Sequence, residues 1–176
     1  MRPRVLSLTL VLLFIGAASA HARPLAISKE FQTDKKLGAG LTLGVPTGAS
    51  VKFLFTPTLA VDLGVGAYFL YRDRNGFHAH ADLLWHPFVA VEGETFLAPL
   101  YVGLGSRLLI HDDINHVGVR VPVGIAFVFD DAPVDVFLEG AFVYDFSISE
   151  DANGNAADGA DAVDMNALVG VRYYFM

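Results

Sequence analysis

From Leu37 to the C-terminus, apolar side chains recur at every second position, the period of a strand with two unlike faces and not that of a helix. Seven breaks rich in Gly, Pro, Asn, Asp and Thr interrupt the pattern. They fall at Pro46-Thr47-Gly48, Thr56-Pro57-Thr58, Arg72 to Gly76, Val91 to Pro99, His111 to Asn115, Asp130 to Pro133 and Ser149 to Asp164. The spacing therefore predicts eight strands, at about 36–46, 49–56, 59–72, 76–90, 99–110, 116–129, 134–148 and 165–176.

What occupies each face decides the architecture. One face reads Leu41, Leu43, Val45; Val51, Phe53, Phe55; Leu63, Val65; Phe77, Leu83, Trp85; Leu104, Leu108; Val119, Val121, Val123; Leu138, Phe142; and Val169, Val171, with only Ser106 and Gly140 departing from apolar character. The other carries every in-strand charge, including Lys52, Asp62, Arg72, Asp82, Arg107, Arg120, Asp135, Glu139, Asp145 and Arg172, interleaved with glycine. A small lumen has no room for so many Leu, Val and Phe, but it holds small and polar residues. The apolar face is therefore expected outside and the charged face inside, the alternation of an outer-membrane barrel. The fold class expected is all-β, an eight-stranded antiparallel up-and-down transmembrane β-barrel over residues 36–176. With the first strand running outward from the periplasm, Phe69, Tyr71, Phe77, Tyr144 and Phe146 gather at one rim, and Phe55, Trp85, Phe127, Phe129, Tyr173 and Phe175 at the other, as two interfacial girdles.

The N-terminus gives the address. Arg2 and Arg4 precede an apolar run from Val5 to about Ala18, and Ala18-Ser19-Ala20 offers small residues for cleavage, so residues 1–20 are expected to be a secretory signal peptide. Residues 21–35 follow as a periplasmic lead. The full chain of 176 residues has a formal net charge of −7 and no cysteine. An acidic chain has no basic surface for nucleic acid, and thiolate chemistry and disulfides are excluded.

Residues 36–176 resemble the small eight-stranded outer-membrane barrels of the OmpA/OmpX type. The stretch Ala167 to Phe175, ending Tyr173-Tyr174-Phe175 before Met176, resembles the C-terminal signal read by the barrel assembly machinery. Val119-Arg120-Val121-Pro122-Val123-Gly124, followed after a Pro turn by Val136-Phe137-Leu138-Glu139, is similar to a family of uncharacterised small bacterial outer-membrane barrels. The resemblance implies a monomer whose partners are outer-membrane lipid, lipopolysaccharide and the assembly machinery. It implies no activity, because a shared barrel does not carry function.

Candidate chemistry lies on the inner face. Asp62, Asp82, Arg107, Arg120, Glu139 and Arg172 are expected to form a lumenal polar network, with Glu139 between Arg120 and Arg172, because unpaired charges away from water are costly. In this reading five cations, Lys52, Arg72, Arg107, Arg120 and Arg172, balance five carboxylates, Asp62, Asp82, Asp135, Glu139 and Asp145. The network either closes the barrel structurally or lines a narrow channel for ions or small solutes. His78, His80, Asp82 and His86 share the inner face of one strand, with His116 on another, a spacing too wide for one ion without help from a neighbouring strand. Neither metal nor cofactor is expected. Asp151, Asn153 and Asn155 imitate the start of a calcium loop, but Ala156 and Ala162 stand where glycine and glutamate are required. A lipid-modifying enzyme needs a base beside its nucleophile, and Ser147 near Asp145 has none in sequence, so no enzyme is expected. A soluble lipid-binding barrel is the structural rival.

Overall fold

The computed structural model describes residues 33–68, 76–111, 114–147 and 162–175. The strands are β1 (Leu37–Gly44), β2 (Thr47–Leu54), β3 (Leu59–Tyr68), β4 (Gly76–Glu92), β5 (Phe96–His111), β6 (Ile114–Phe129), β7 (Val134–Ser147) and β8 (Ala162–Tyr174). Each pairs antiparallel with the next, and β8 pairs with β1, closing an up-and-down barrel. Closure leaves no unpaired sheet edge between first and last strands over residues 38–44. The end where β1 begins is termed the base, and the opposite end the rim.

Register fixes the barrel's width. Register partners lead from Gly40 through Ser50, Gly64, His80, Arg107, Gly118 and Asp145 to Ala162, whereas Gly40 itself pairs with Arg172, a stagger of ten residues. Over eight strands that stagger corresponds to a tilt of about 41° and a backbone radius of about 8 Å, an interior that side chains can fill.

The two faces separate as the alternation requires. Leu41, Leu43, Leu104, Phe142, Trp85 and Val123 are exposed, while Lys52, Asp62, Asp82, Arg107, Arg120, Asp135, Glu139, Asp145 and Arg172 are buried. Parity fails in two places: Val45 is buried, because Gly44 at φ 132° turns the chain inward before Pro46, and Val89 and Ala98 are buried where register shifts interrupt the β4–β5 pairing. Only glycine accepts that φ without strain.

Inward aromatics lie opposite glycines. Tyr101 pairs with Gly124, Phe137 with Gly170, and Tyr174 with Gly38, and in each case a Cβ added to the glycine would fall within 2.9 Å of the ring or its hydroxyl. The large side chain lies flat over the neighbouring strand, filling volume that the glycine leaves. These rings join Leu54, Ala60, Leu84, Ala126 and Leu168 in an apolar layer inside the base half of the barrel. The lumen therefore holds more apolar bulk than the sequence reading allowed, and a smaller cluster of Val45, Tyr68 and Leu109 lies toward the rim.

Several boundaries differ from expectation. The break at Val91 to Pro99 shrinks to Gly93-Glu94-Thr95, because β4 and β5 continue across it with register shifts that absorb Pro99, and bulges tolerate proline. The first break contracts to Val45-Pro46, with β2 starting at Thr47. β8 starts at Ala162, which moves Asp164 from the expected loop into the wall. The signal peptide, Phe69, Tyr71, Arg72, the calcium-like residues 151–156 and Met176 lie outside the described residues.

Phe137 is held between Gly170 and the Arg172 guanidinium, 3.7 Å from its ring centroid, so the ring has little room to yield. Gly170→Ala should cost about 1 to 3 kcal/mol by overpacking. Adding Phe137→Leu should recover part of that loss in a double-mutant cycle measured by urea unfolding, and strict additivity would show that the two sites do not touch.

Candidate functional site

The lumen gathers nearly all the buried ionisable side chains among the described residues. Alternation places them there: even-numbered positions of β2, β3, β4, β6 and β8 and odd-numbered positions of β5 and β7 point inward. Three buried arginines organise them, and each is shared by two carboxylates from other strands.

Nearest the rim, Arg107 of β5 donates from Nε to Asp145 Oδ1 at 3.1 Å and from Nη2 to Asp145 Oδ2, a two-pronged pairing with β7. Its Nη1 donates to Asp164 Oδ2 at 2.9 Å and to Asn166 Oδ1 at 3.0 Å, both on β8. In the middle, Arg120 of β6 donates from Nη1 to Asp82 Oδ2 on β4 and from Nη2 to Glu139 Oε1 on β7 at 2.5 Å. The Tyr101 hydroxyl donates to the other oxygen of Glu139 at 2.9 Å. Toward the base, Arg172 of β8 donates from Nη2 to Asp62 Oδ2 on β3 at 2.9 Å and from Nε to Ser50 Oγ at 3.1 Å, and that hydroxyl donates in turn to Asp62 Oδ1. Asp135 is 3.9 Å from Arg172 Nη1 and accepts from Tyr174.

All six residues singled out from the sequence thus face one lumen, but not in the expected pairing. Glu139 binds Arg120 and Tyr101, whereas Arg172 turns away to Asp62 and Asp135. Adjacent strands bring backbones together, yet an arginine long enough to cross the lumen selects its partner by height, which the stagger sets. Asp164 joins the inward carboxylates, and Arg72 lies outside the described residues. The described lumen holds Lys52, Arg107, Arg120 and Arg172 against Asp62, Asp82, Asp135, Glu139, Asp145 and Asp164, four cations to six carboxylates.

Lys52 is the cation without a carboxylate in hydrogen-bond contact. Its Nζ lies 2.8 Å from His86 Nε2, and His86 Nδ1 lies 3.2 Å from the Thr58 carbonyl. An ammonium can only donate, so this network assigns Nε2 as acceptor and places the imidazole proton on Nδ1, facing Thr58. His78 Nε2 and His80 Nδ1 are 3.2 Å apart, and His80 Nε2 is 4.0 Å from Asp82. Among the described residues no three metal-ligating side chains converge on one point. The Ser147 side chain lies outside the described residues.

Sequence reasoning passed over Tyr101, Ser50, Asn166 and Phe137 as network members. Their parity put them inside; what it could not give was a partner. Asp164 was hidden by the turn-like composition around it.

No protein-family model, curated protein or solved structure matches the chain.

Arg120→Val should cost about 3 to 5 kcal/mol, because Asp82 and Glu139 are left in a buried site without the cation that matches them. Combining it with Asp82→Asn and Glu139→Gln should restore most of the loss in the same unfolding assay. A triple variant no more stable than Arg120→Val would mean that packing, and not charge, is what the arginine supplies.

Proposed function

We propose that this chain is an integral outer-membrane β-barrel of OmpA/OmpX-like architecture with a structural or surface-interaction role, its lumen closed by the polar network. One observation carries the reading: the wall exposes its Leu, Val and Phe side chains while the charged residues of the same strands are buried inside. A protein that folds in water puts these faces the other way round, and exposed apolar surface on this scale needs a nonaqueous surrounding. Residues 1–20 supply the export signal, and outer-membrane lipid, lipopolysaccharide and the barrel assembly machinery are the partners of a monomer.

The aromatic residues agree with this placement. Phe55, Trp85, Tyr173 and Phe175 are exposed near the base, and Phe77, Tyr144 and Phe146 near the rim. Val117 stands opposite Phe146 and lies ten residues along β6 from Phe127. At the deduced tilt that length is about 25 Å along the barrel axis, the height of an outer-membrane apolar band. The base then faces the periplasm and the rim the cell exterior.

A second reading, a narrow channel for ions or small solutes, draws on the lumen itself. His78 Nδ1, Asp82 Oδ1, His116 Nδ1, Arg120 Nε, Asp135 Oδ1, Asn166 Nδ2 and Arg172 Nη1 are buried without a protein hydrogen-bond partner, and they are distributed from rim to base. Polar atoms in such positions hold water. The apolar layer around Leu84, Phe137 and Leu168 interrupts that file, which favours the closed reading.

Two measurements test these readings. Refolded mature protein should run as a compact, heat-sensitive species in detergent and give no discrete openings in a planar bilayer. Reproducible openings altered by Glu139→Gln would replace the closed barrel with the channel. Val121→Arg, on the outward face, should cost about 2 to 4 kcal/mol when folding is measured in lipid, since the side chain meets the bilayer midplane. The same substitution on a soluble barrel would change stability by no more than about 0.5 kcal/mol, as exposed positions do.

A further inference from the structure

The base of the barrel is crossed by a piece of chain that belongs to no strand. Residues 33–36 precede β1. The Lys35 amide donates to Thr33 Oγ1 at 3.1 Å, a local bend, and the Lys36 carbonyl accepts from the Leu54 amide at 2.7 Å, which ties the segment to the end of β2. The Lys35 side chain runs the other way. Its Nζ donates to the Phe129 carbonyl and, at 2.7 Å, to the Ala132 carbonyl, both at the turn joining β6 to β7.

Beside this crossing lies a cavity of about 440 Å³, lined on one side by Thr33, Asp34 and Lys35 and on the other by Leu97, Val128, Phe129 and Asp130. Leu97 belongs to β5, four strands round the barrel from β1, so the segment reaches over the mouth and does not merely extend its own strand. Val128 and Leu97 are also the outermost apolar contacts of the layer that fills the base half of the lumen.

The attachment is of a releasable kind. A single flexible side chain makes it, and its acceptors are two carbonyls and no contacting carboxylate. Burial lowers the Lys35 pKa from the ordinary lysine value, with Asp135 and Asp130 pulling it back up. Asp135 is the lowest carboxylate of the lumenal network, so the latch lies directly below the charged interior.

We propose that residues 33–36 form a strap, latched by Lys35 to the β6–β7 turn, whose release opens the base of the lumen to water and small solutes. The strap closes the barrel from below, while the Val45-Pro46 turn folds inward near the rim. This holds whichever of the two functional readings applies, because it concerns access to the lumen and not what passes through it.

The chain has no cysteine, so one introduced thiol is a clean reporter. Val128→Cys lies on the cavity wall under the strap, and Leu109→Cys lies at the same 8% exposure in the rim cluster. Each refolded barrel is labelled with a water-soluble maleimide, with and without Lys35→Ala. Labelling of Val128→Cys should quicken about tenfold or more when Lys35 is truncated, the factor expected for losing hydrogen bonds to a charged group. Lys35→Arg should restore slow labelling, and Leu109→Cys should not respond. An unchanged rate at position 128, or equal acceleration at both positions, would overturn the latch, the second by showing general loosening. If Val128→Cys does not refold, Leu97→Cys reports on the same cavity with the same two outcomes.

Discussion

A guanidinium withdrawn from water keeps its charge at any ordinary pH, and so it must be matched where it lies. Arg120 is wholly buried and is matched from two sides at once, by Asp82 across one part of the lumen and Glu139 across another. Arg107 and Arg172 repeat the arrangement nearer the rim and the base. Because the partners of each arginine sit on different strands, these pairings are cross-braces. Together with Ser50 they tie β2 to β8 through the interior, leaving out only β1, whose inward positions are Gly38, Gly40, Thr42 and Gly44. Backbone ladders make the wall continuous, but they do not select which height of one strand faces which height of another across the lumen. The braces are satisfied only at one stagger.

The same reasoning explains where glycine and aromatic residues are spent. A radius of about 8 Å cannot accommodate a large side chain at every inward position. Tyr101, Phe137 and Tyr174 fit because Gly124, Gly170 and Gly38 stand opposite them, and the rings then support the braces: Tyr101 hydrogen-bonds Glu139, Tyr174 hydrogen-bonds Asp135, and Phe137 lies against Arg172. Packing and charge matching are therefore one construction. Removing a glycine displaces a ring, and displacing a ring disturbs a carboxylate or, at Phe137, a guanidinium.

Much of this was legible from the chain alone, and the physical reason is the exact two-residue period of a strand. The period fixes the face of Val121 and of Arg120 independently of all else, and eight such segments with short breaks leave closure as the economical topology. What the period does not carry is height. Glu139 could be placed inside, but whether it met Arg172 or Asp82's partner Arg120 depends on the ten-residue stagger, a property of the whole ring. Local inversions escaped for a different reason: Val45 obeys parity until the positive φ at Gly44 reverses it, and composition does not reveal that angle. Asp164 escaped because strand residues flanked by Asp, Gly and Ala read as loop, and only its pairing opposite Val143 and its bond to Arg107 show it to be wall.

In a barrel read as spanning a bilayer, the usual source of stability is reversed. The exposed Leu, Val and Phe side chains gain nothing from one another by leaving water, because lipid serves each of them equally well. Specificity must then come from the interior, where an unmatched donor or charge is heavily penalised and a matched one admits few alternatives. This accounts for a lumen that keeps ten described lysine, arginine, aspartate and glutamate side chains when a packed apolar core of the same volume would hold the wall together. It also accounts for the sharing of each arginine by two acids. A guanidinium has five donors and a carboxylate has room for fewer bonds in a crowded space, so one arginine shared by two acids fills the donor set more completely than one-to-one pairing. Two carboxylates on each of three arginines is the pattern that hydrogen-bond geometry alone would favour, and no ligand is required to explain it.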